Sequence, residues 1–139
     1  MASDRSWENK NKRIVVIDSS ALLMLFEFSI DLEGELTRLV GCYKIVVPKP
    51  IINELTFLSE NATGKKKRIA KPALKLAEGY KTIDDPSECG DDSVINLAKK
   101  LGGIVFSNDK ELRNRAKKEH LKIICLRGKN HLMLNEPIF

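Results

Sequence analysis

Four short runs of aliphatic and β-branched residues recur along this chain: Arg13–Ile17 (RIVVI), Tyr43–Val47 (YKIVV), Ile104–Phe106 (IVF) and Lys122–Leu126 (KIICL). The first reads as a strand buried on both faces, because a strand with one wet face would alternate apolar with polar residues, and the other three read as further strands. Thr82 and Ile83 predict one more, very short strand. The stretches between carry helical periodicity over Ser19–Phe28, Leu32–Val40, Pro50–Ser59, Lys65–Gly79, Asp91–Leu101 and Lys110–Glu119. Strands that alternate with helices build right-handed βαβ units around a parallel sheet covered on both sides. The expected architecture is α/β: a three-layer α/β/α, Rossmann-like domain with a central parallel sheet of four to five strands.

Several ends are legible. Pro50 suits a first helical turn, where its missing N–H is harmless. Asp91–Leu101 has acids in its first turn, Lys99 and Lys100 in its last, and Gly102–Gly103 beyond. Pro72 should kink its helix or mark the true start. Asp84–Gly90 reads as a loop, and the closing RGKNHLMLNEPIF as an edge strand or a tail.

A length of 139 residues suits one domain over 13–139, behind a polar tail at 1–12. No apolar run approaches the ~20 residues that a bilayer span requires. The opening MASDRSWENKNKR lacks the apolar stretch of a secretory signal, so a cytoplasmic location without a membrane is expected. Cys42, Cys89 and Cys125 are far apart with no CxxC pair, which argues against a zinc site or a disulfide scaffold. Cys42 and Cys125 are expected to behave as small buried hydrophobes. Twenty-four basic against nineteen acidic residues leave a charge of +5, which favours a polyanionic partner.

Four acids stand out. Asp18 directly follows the first buried strand, and Asp109 lies three residues after Phe106. In open α/β sheets, ligands bind beyond the carboxyl ends of the strands, where strand order reverses. Taken singly, either Asp is equally well explained as a helix cap or turn former. Glu54 carries more information. With Ile51 at zero on a wheel of about 100° per residue, it falls near 300°, between Leu58 and Phe57 in an apolar arc. Asp91 shares the inward face of Val94, Ile95, Ala98 and Leu101, whereas Asp92 points roughly 100° away. Carboxylates gathered at one edge repel each other unless a cation holds them. An all-oxygen set of this kind selects Mg²⁺ or Mn²⁺.

These motifs, VIDSSALL around Asp18, INEL carrying Glu54, DDSVINLA from Asp91 and VFSND ending at Asp109, together resemble the PIN domain nucleases. The match runs from Arg13 to about Leu126. The resemblance implies a divalent-metal-dependent endoribonuclease with catalytic Asp18, Glu54, Asp91 and Asp109. Asp18, Asp91 and Asp109 would be the metal ligands, and Ser20, Ser107 and Asp92 accessory residues. Ser107 replaces a commoner Thr while keeping the hydroxyl. The Asp91-Asp92 pair is closer to the ribosomal-RNA-processing branch than to many VapC toxins. Implied partners are RNA, an antitoxin protein or a ribosomal precursor, and a second copy in a homodimer. Lys65, Lys66, Lys67 and Arg68, with Arg113, are the candidate RNA-binding residues; Lys71, Lys75, Arg115, Lys117 and Lys118 extend the same two basic faces. Such charge runs are more often solvated surface. The rival readings are a non-catalytic RNA-binding or ribosome-assembly protein, which intact acids disfavour, and a receiver-like domain, whose acidic pair and late lysine are not evident.

Overall fold

The computed structural model describes residues 12–87 and 89–136. The elements in order are β1 (Arg13–Ile17), α1 (Ser19–Glu27), α2 (Leu32–Val40), β2 (Tyr43–Pro48), α3 (Lys49–Asn61), α4 (Gly64–Glu78), β3 (Lys81–Ile83), α5 (Gly90–Leu101), β4 (Ile104–Phe106), α6 (Lys110–Lys118), β5 (Ile123–Arg127) and β6 (His131–Asn135). Of the tail expected at 1–12, all but Lys12 lies outside the described residues.

The sheet has six strands in the order β3-β2-β1-β4-β5-β6. Five run parallel, and β6 pairs antiparallel with β5. The sixth strand is a correction to the expected four or five. A three-residue turn links β5 to β6, far too short for a crossover, so β6 can only fold back as a hairpin. Strand order reverses between β1 and β4, whose register pairs Ile17 with Phe106. Both strands lie at the centre, and Val15, Val16, Ile17, Val105 and Phe106 are fully buried. That placement explains the unbroken aliphatic runs.

Right-handed crossovers put α1 to α4 on one face and α5 and α6 on the other. The packing of α4 on α1 and α3, and of α5 on α6, agrees with those layers. Gly102 ends α5 in the left-handed conformation, at φ 63° and ψ 35°, which Gly adopts without a Cβ clash. Pro72 is neither the start nor the end of α4, which continues on both sides of it. Cys125 is buried as expected, but Cys42 is exposed. It sits in the turn after Gly41, before β2 enters the sheet, where the segment's role is a backbone one: the Cys42 carbonyl accepts from Arg13 N at 2.9 Å. Among the described residues, no helix is long and apolar enough to cross a membrane.

The free edge of β6 is closed by side chains from α2. Glu35 Oε1 accepts from Leu132 N at 2.7 Å and from Arg38 Nη2 at 2.9 Å. Arg38 Nη2 also donates to the Leu132 carbonyl at 2.8 Å. One ion pair thus occupies the donor and the acceptor that a further strand would use. The Arg38 bond, then the Leu132 N–H, holds the Glu35 carboxyl at about 2, well below the ordinary 4.5. A depressed acid stabilises the fold above its unfolded pKa and loses that contribution as pH falls through the folded value. Glu35→Gln should therefore unfold at lower urea than wild type at pH 7. The gap should close between pH 4.5 and 2; urea melts at several pH values across that window check this.

Candidate active site

Asp18 belongs to two structures at once. Its backbone N–H donates to the Phe106 carbonyl at 3.1 Å, extending the β1–β4 pairing by one residue. Its Oδ1 accepts from Ala21 N at 2.9 Å and so caps α1. The cap role therefore holds, yet it does not account for the rest of the environment. Ser107 Oγ donates to Asp18 Oδ2 at 2.7 Å, and Ser20 Oγ lies 2.8 and 3.0 Å from the two oxygens. The side chain is 3% exposed. Burial pushes the carboxyl up to about 6, against the downward pull of Ser107, Ala21 N and Ser20, and the charge of Asp91 adds to the rise.

The same serines tie down the neighbouring turn. Ser107 Oγ accepts from Asp109 N and Ser20 Oγ from Asn108 N, each at 3.0 Å. The β1–α1 and β4–α6 turns are thereby joined across the point where strand order reverses. Asp109 caps α6 through Oδ1, which accepts from Glu111 N at 2.9 Å. One carboxylate oxygen satisfies the helix, and the other is left for the site.

Asp91 stands in the first turn of α5, partly buried. Its pKa is raised first by burial and then by Asp109, with Glu54 and Asp92 adding and Arg115 opposing. Asp91 thus feels each of the other three expected acids, since its charge also raises Asp18. α3 approaches the start of α5 closely at Gly90. A Cβ there would meet Ile51 Cδ1 at 2.9 Å and Glu54 Oε1 at 3.1 Å.

Glu54 corrects the helical-wheel reading. It is exposed, and so is Phe57, at 63%. The buried arc of α3 runs through Ile51, Ile52, Leu55 and Ser59, so Glu54 lies at its margin rather than inside it. Counting Phe57 as core made the arc too wide. Ser19, which the sequence did not single out, donates to Glu54 Oε2 at 2.7 Å. Its position directly after Asp18 was the available signal, but its reach across 35 residues was not.

Other expected residues lie apart from this group. Asp92 pairs with Arg115 at 2.7 Å, linking α5 to α6. Lys65 pairs with Glu27 at 3.5 Å. That places the start of the Lys65–Arg68 run at the far end of α1 from Asp18, roughly 13 Å along the helix axis. Arg113 is one turn from Asp109, half-buried, and its Nε finds no partner among the described residues.

Among the described residues, no three His, Cys, Asp or Glu side chains stand close enough together to grip a metal ion. The donor chemistry nevertheless fits a hard divalent cation. The charges of Asp109 and Glu54 raise the pKa of Asp91, and the charge of Asp91 adds to the rise at Asp18, a repulsion that a dication relieves. The folded chain holds a proton on Asp18 that the unfolded chain has released between pH 3.8 and about 6, so stability falls as pH rises through that window. In EDTA at pH 7, Asp18→Asn should raise stability by about 1–2 kcal/mol. That is less than the ~3 kcal/mol that two pKa units represent, because asparagine forfeits charge-assisted hydrogen bonds. Little gain should remain at pH 4; thermal melts at both pH values check this.

Residues 15–129 match the family described as PIN like domain. The chain is 35% identical to Ribonuclease VapC9 of Archaeoglobus fulgidus over 123 residues, covering 88% of this chain and 89% of that one. It is 30% identical to Ribonuclease VapC4 of Methanocaldococcus jannaschii over 121 residues, 84% of this chain and 92% of that one. Among solved structures, the PIN domain endonuclease Utp24 superimposes with a TM-score of 0.70, over 90% of this chain and 92% of its own. At 17% identity, that likeness concerns the fold alone.

Proposed function

Because this chain belongs to the PIN-like domain family, we propose that it is a divalent-metal-dependent endoribonuclease, a VapC-like toxin that hydrolyses RNA phosphodiester bonds. The observation that carries this reading is the buried Asp18 carboxylate at the strand-order reversal, raised to about 6 and held by the two serines that also secure the Asp109 turn. A lone structural acid would need no such cluster of acids about it. The curated relatives favour the VapC-like branch, since both are ribonucleases of that kind and match most of the chain. Retention of all four acids weighs against a non-catalytic RNA-binding role.

In this mechanism Asp18, Asp91 and Asp109 would hold Mg²⁺ or Mn²⁺ through oxygen donors. When bound, such a cation lowers the pKa of an attacking water and neutralises charge that develops on the phosphate. Ser20 and Ser107 fix the Asp18 carboxylate, and Ser107 fixes the backbone before Asp109 as well. Glu54, aimed by Ser19 through one oxygen, presents the other to the water. Arg113, one turn from Asp109 and with its Nε buried, takes the RNA phosphate nearest that acid through its terminal guanidinium nitrogens. The Lys65–Arg68 run contacts RNA further from the acids. The activity resides in one domain over 13–139, in the cytoplasm, as a homodimer silenced by an antitoxin protein.

Cleavage of single-stranded and structured RNA should require Mg²⁺ or Mn²⁺ and stop with EDTA. Asp91→Asn and Asp109→Asn should retain the fold and lose more activity than the roughly 10- to 100-fold typical of groups that only support a ligand. Ser107→Ala should fall within that 10- to 100-fold range. Gel assays on all three variants test this, and undiminished cleavage by Asp109→Asn would defeat the reading.

A further inference from the structure

Away from the acids, α2 and the β5–β6 hairpin enclose an open cleft of about 450 Å³ lined by Glu35, Arg38, Arg127 and His131. Its single carboxylate is already committed. Glu35 accepts from Leu132 N and Arg38 Nη2, and its second oxygen lies 3.5 Å from His131 Nδ1. Arg38 uses one nitrogen for both Glu35 and the Leu132 carbonyl, and its side chain remains 55% exposed. A guanidinium carries five N–H donors, so most of them stay available.

Arg127 and His131 are register partners across the hairpin, so both side chains project from the same face of the sheet. Arg127 is exposed and forms no ion pair among the described residues. Lys129 stands exposed in the turn between them. The cleft therefore carries surplus positive charge. Its two arginines offer planar donor forks, the geometry that suits a phosphate.

The cleft also opens at the right edge of the sheet. Ile17, Phe106 and Ile124 lie level in the parallel ladder, so Arg127 is at the same carboxyl-end edge as Asp18 and Asp109. Two strand spacings sideways and two residues further up put its Cα roughly 12 Å from that of Asp18. A nucleic-acid strand lying across the acids would bring a neighbouring phosphate to that point.

We propose that Arg127, with Arg38 and His131, forms a phosphate-binding exosite that holds the RNA strand a few nucleotides from the bond being cut. The proposal rests on the endoribonuclease reading and adds a second anchor for the same substrate. The phosphate is either an internal one or a strand's terminal one. Arg127 is the residue to vary, because Arg38 also secures β6.

In an Asp109→Asn background, fluorescence anisotropy would follow labelled single-stranded oligoribonucleotides of 4 and 12 nucleotides, each with and without a 5′-phosphate, at several salt concentrations. Arg127→Ala should weaken 12-mer binding about 5- to 10-fold and lower the salt slope by about 0.7, the value for one phosphate contact on a single strand. Arg127→Lys should keep the slope. Weakening regardless of the 5′-phosphate assigns an internal phosphate, and weakening only with it assigns a terminal one. Unchanged 12-mer affinity and slope in both Arg127→Ala and Arg127→Glu would overturn the exosite while leaving the nuclease reading intact. If the parent binds no RNA, the nuclease reading falls separately, and the cleft is then probed with inorganic phosphate by NMR. Failure of phosphate to shift the Arg127 Nε–H signal would overturn the anion site as well.

Discussion

A carboxylate that is 3% exposed and drawn up to about 6 is the constraint around which the rest of this molecule is arranged. Burying the charge of Asp18 is unfavourable, and the chain offsets part of that cost with hydrogen bonds from Ser20, Ser107 and Ala21 N. Those bonds draw together two turns 89 residues apart. They are possible only because β4 lies beside β1, where strand order reverses. The open crevice at that reversal is where Asp91 and Asp109 can approach the same region from α5 and α6. Topology, capping and site chemistry therefore have a common origin.

The distribution of charge follows from the same constraint. The excess of basic residues does not neutralise the acidic group. Arg115 is held by Asp92, Lys65 by Glu27, and Lys99 by Glu119. These exposed pairs contribute little to stability in water. Arg113 is half-buried beside Asp109, and Arg127 stays open at the end of β5.

At the β6 margin of the sheet, the Glu35–Arg38 pair stands in for a seventh strand at Leu132. That arrangement closes an edge that could otherwise recruit another chain. Because one carboxylate oxygen and one guanidinium nitrogen satisfy the backbone, the remaining donors of Arg38 face solvent. An edge-closing device and a basic cleft are thus built from the same two side chains.

The layers and the parallel strands were legible because each is encoded locally: aliphatic runs in RIVVI and IVF, and periodic apolar positions in α5. The order of strands explains why Asp18 and Asp109 face one crevice, and alternation of elements with right-handed crossovers constrains it strongly. What lay beyond reach were contacts set by distance in space. Ser19 reaches Glu54 across 35 residues, Asp92 faces Arg115 across 23, and Glu35 meets Leu132 across 97. The wheel also mistook Phe57 for core, because periodicity ranks the faces of a helix but does not say where the next layer stops. Local patterns by themselves determined which elements form and which acids end them. Only the packed structure decided which charges are paired and which are left open, because hydrogen bonds and ion pairs depend on separations of a few ångströms that no spacing along the chain specifies.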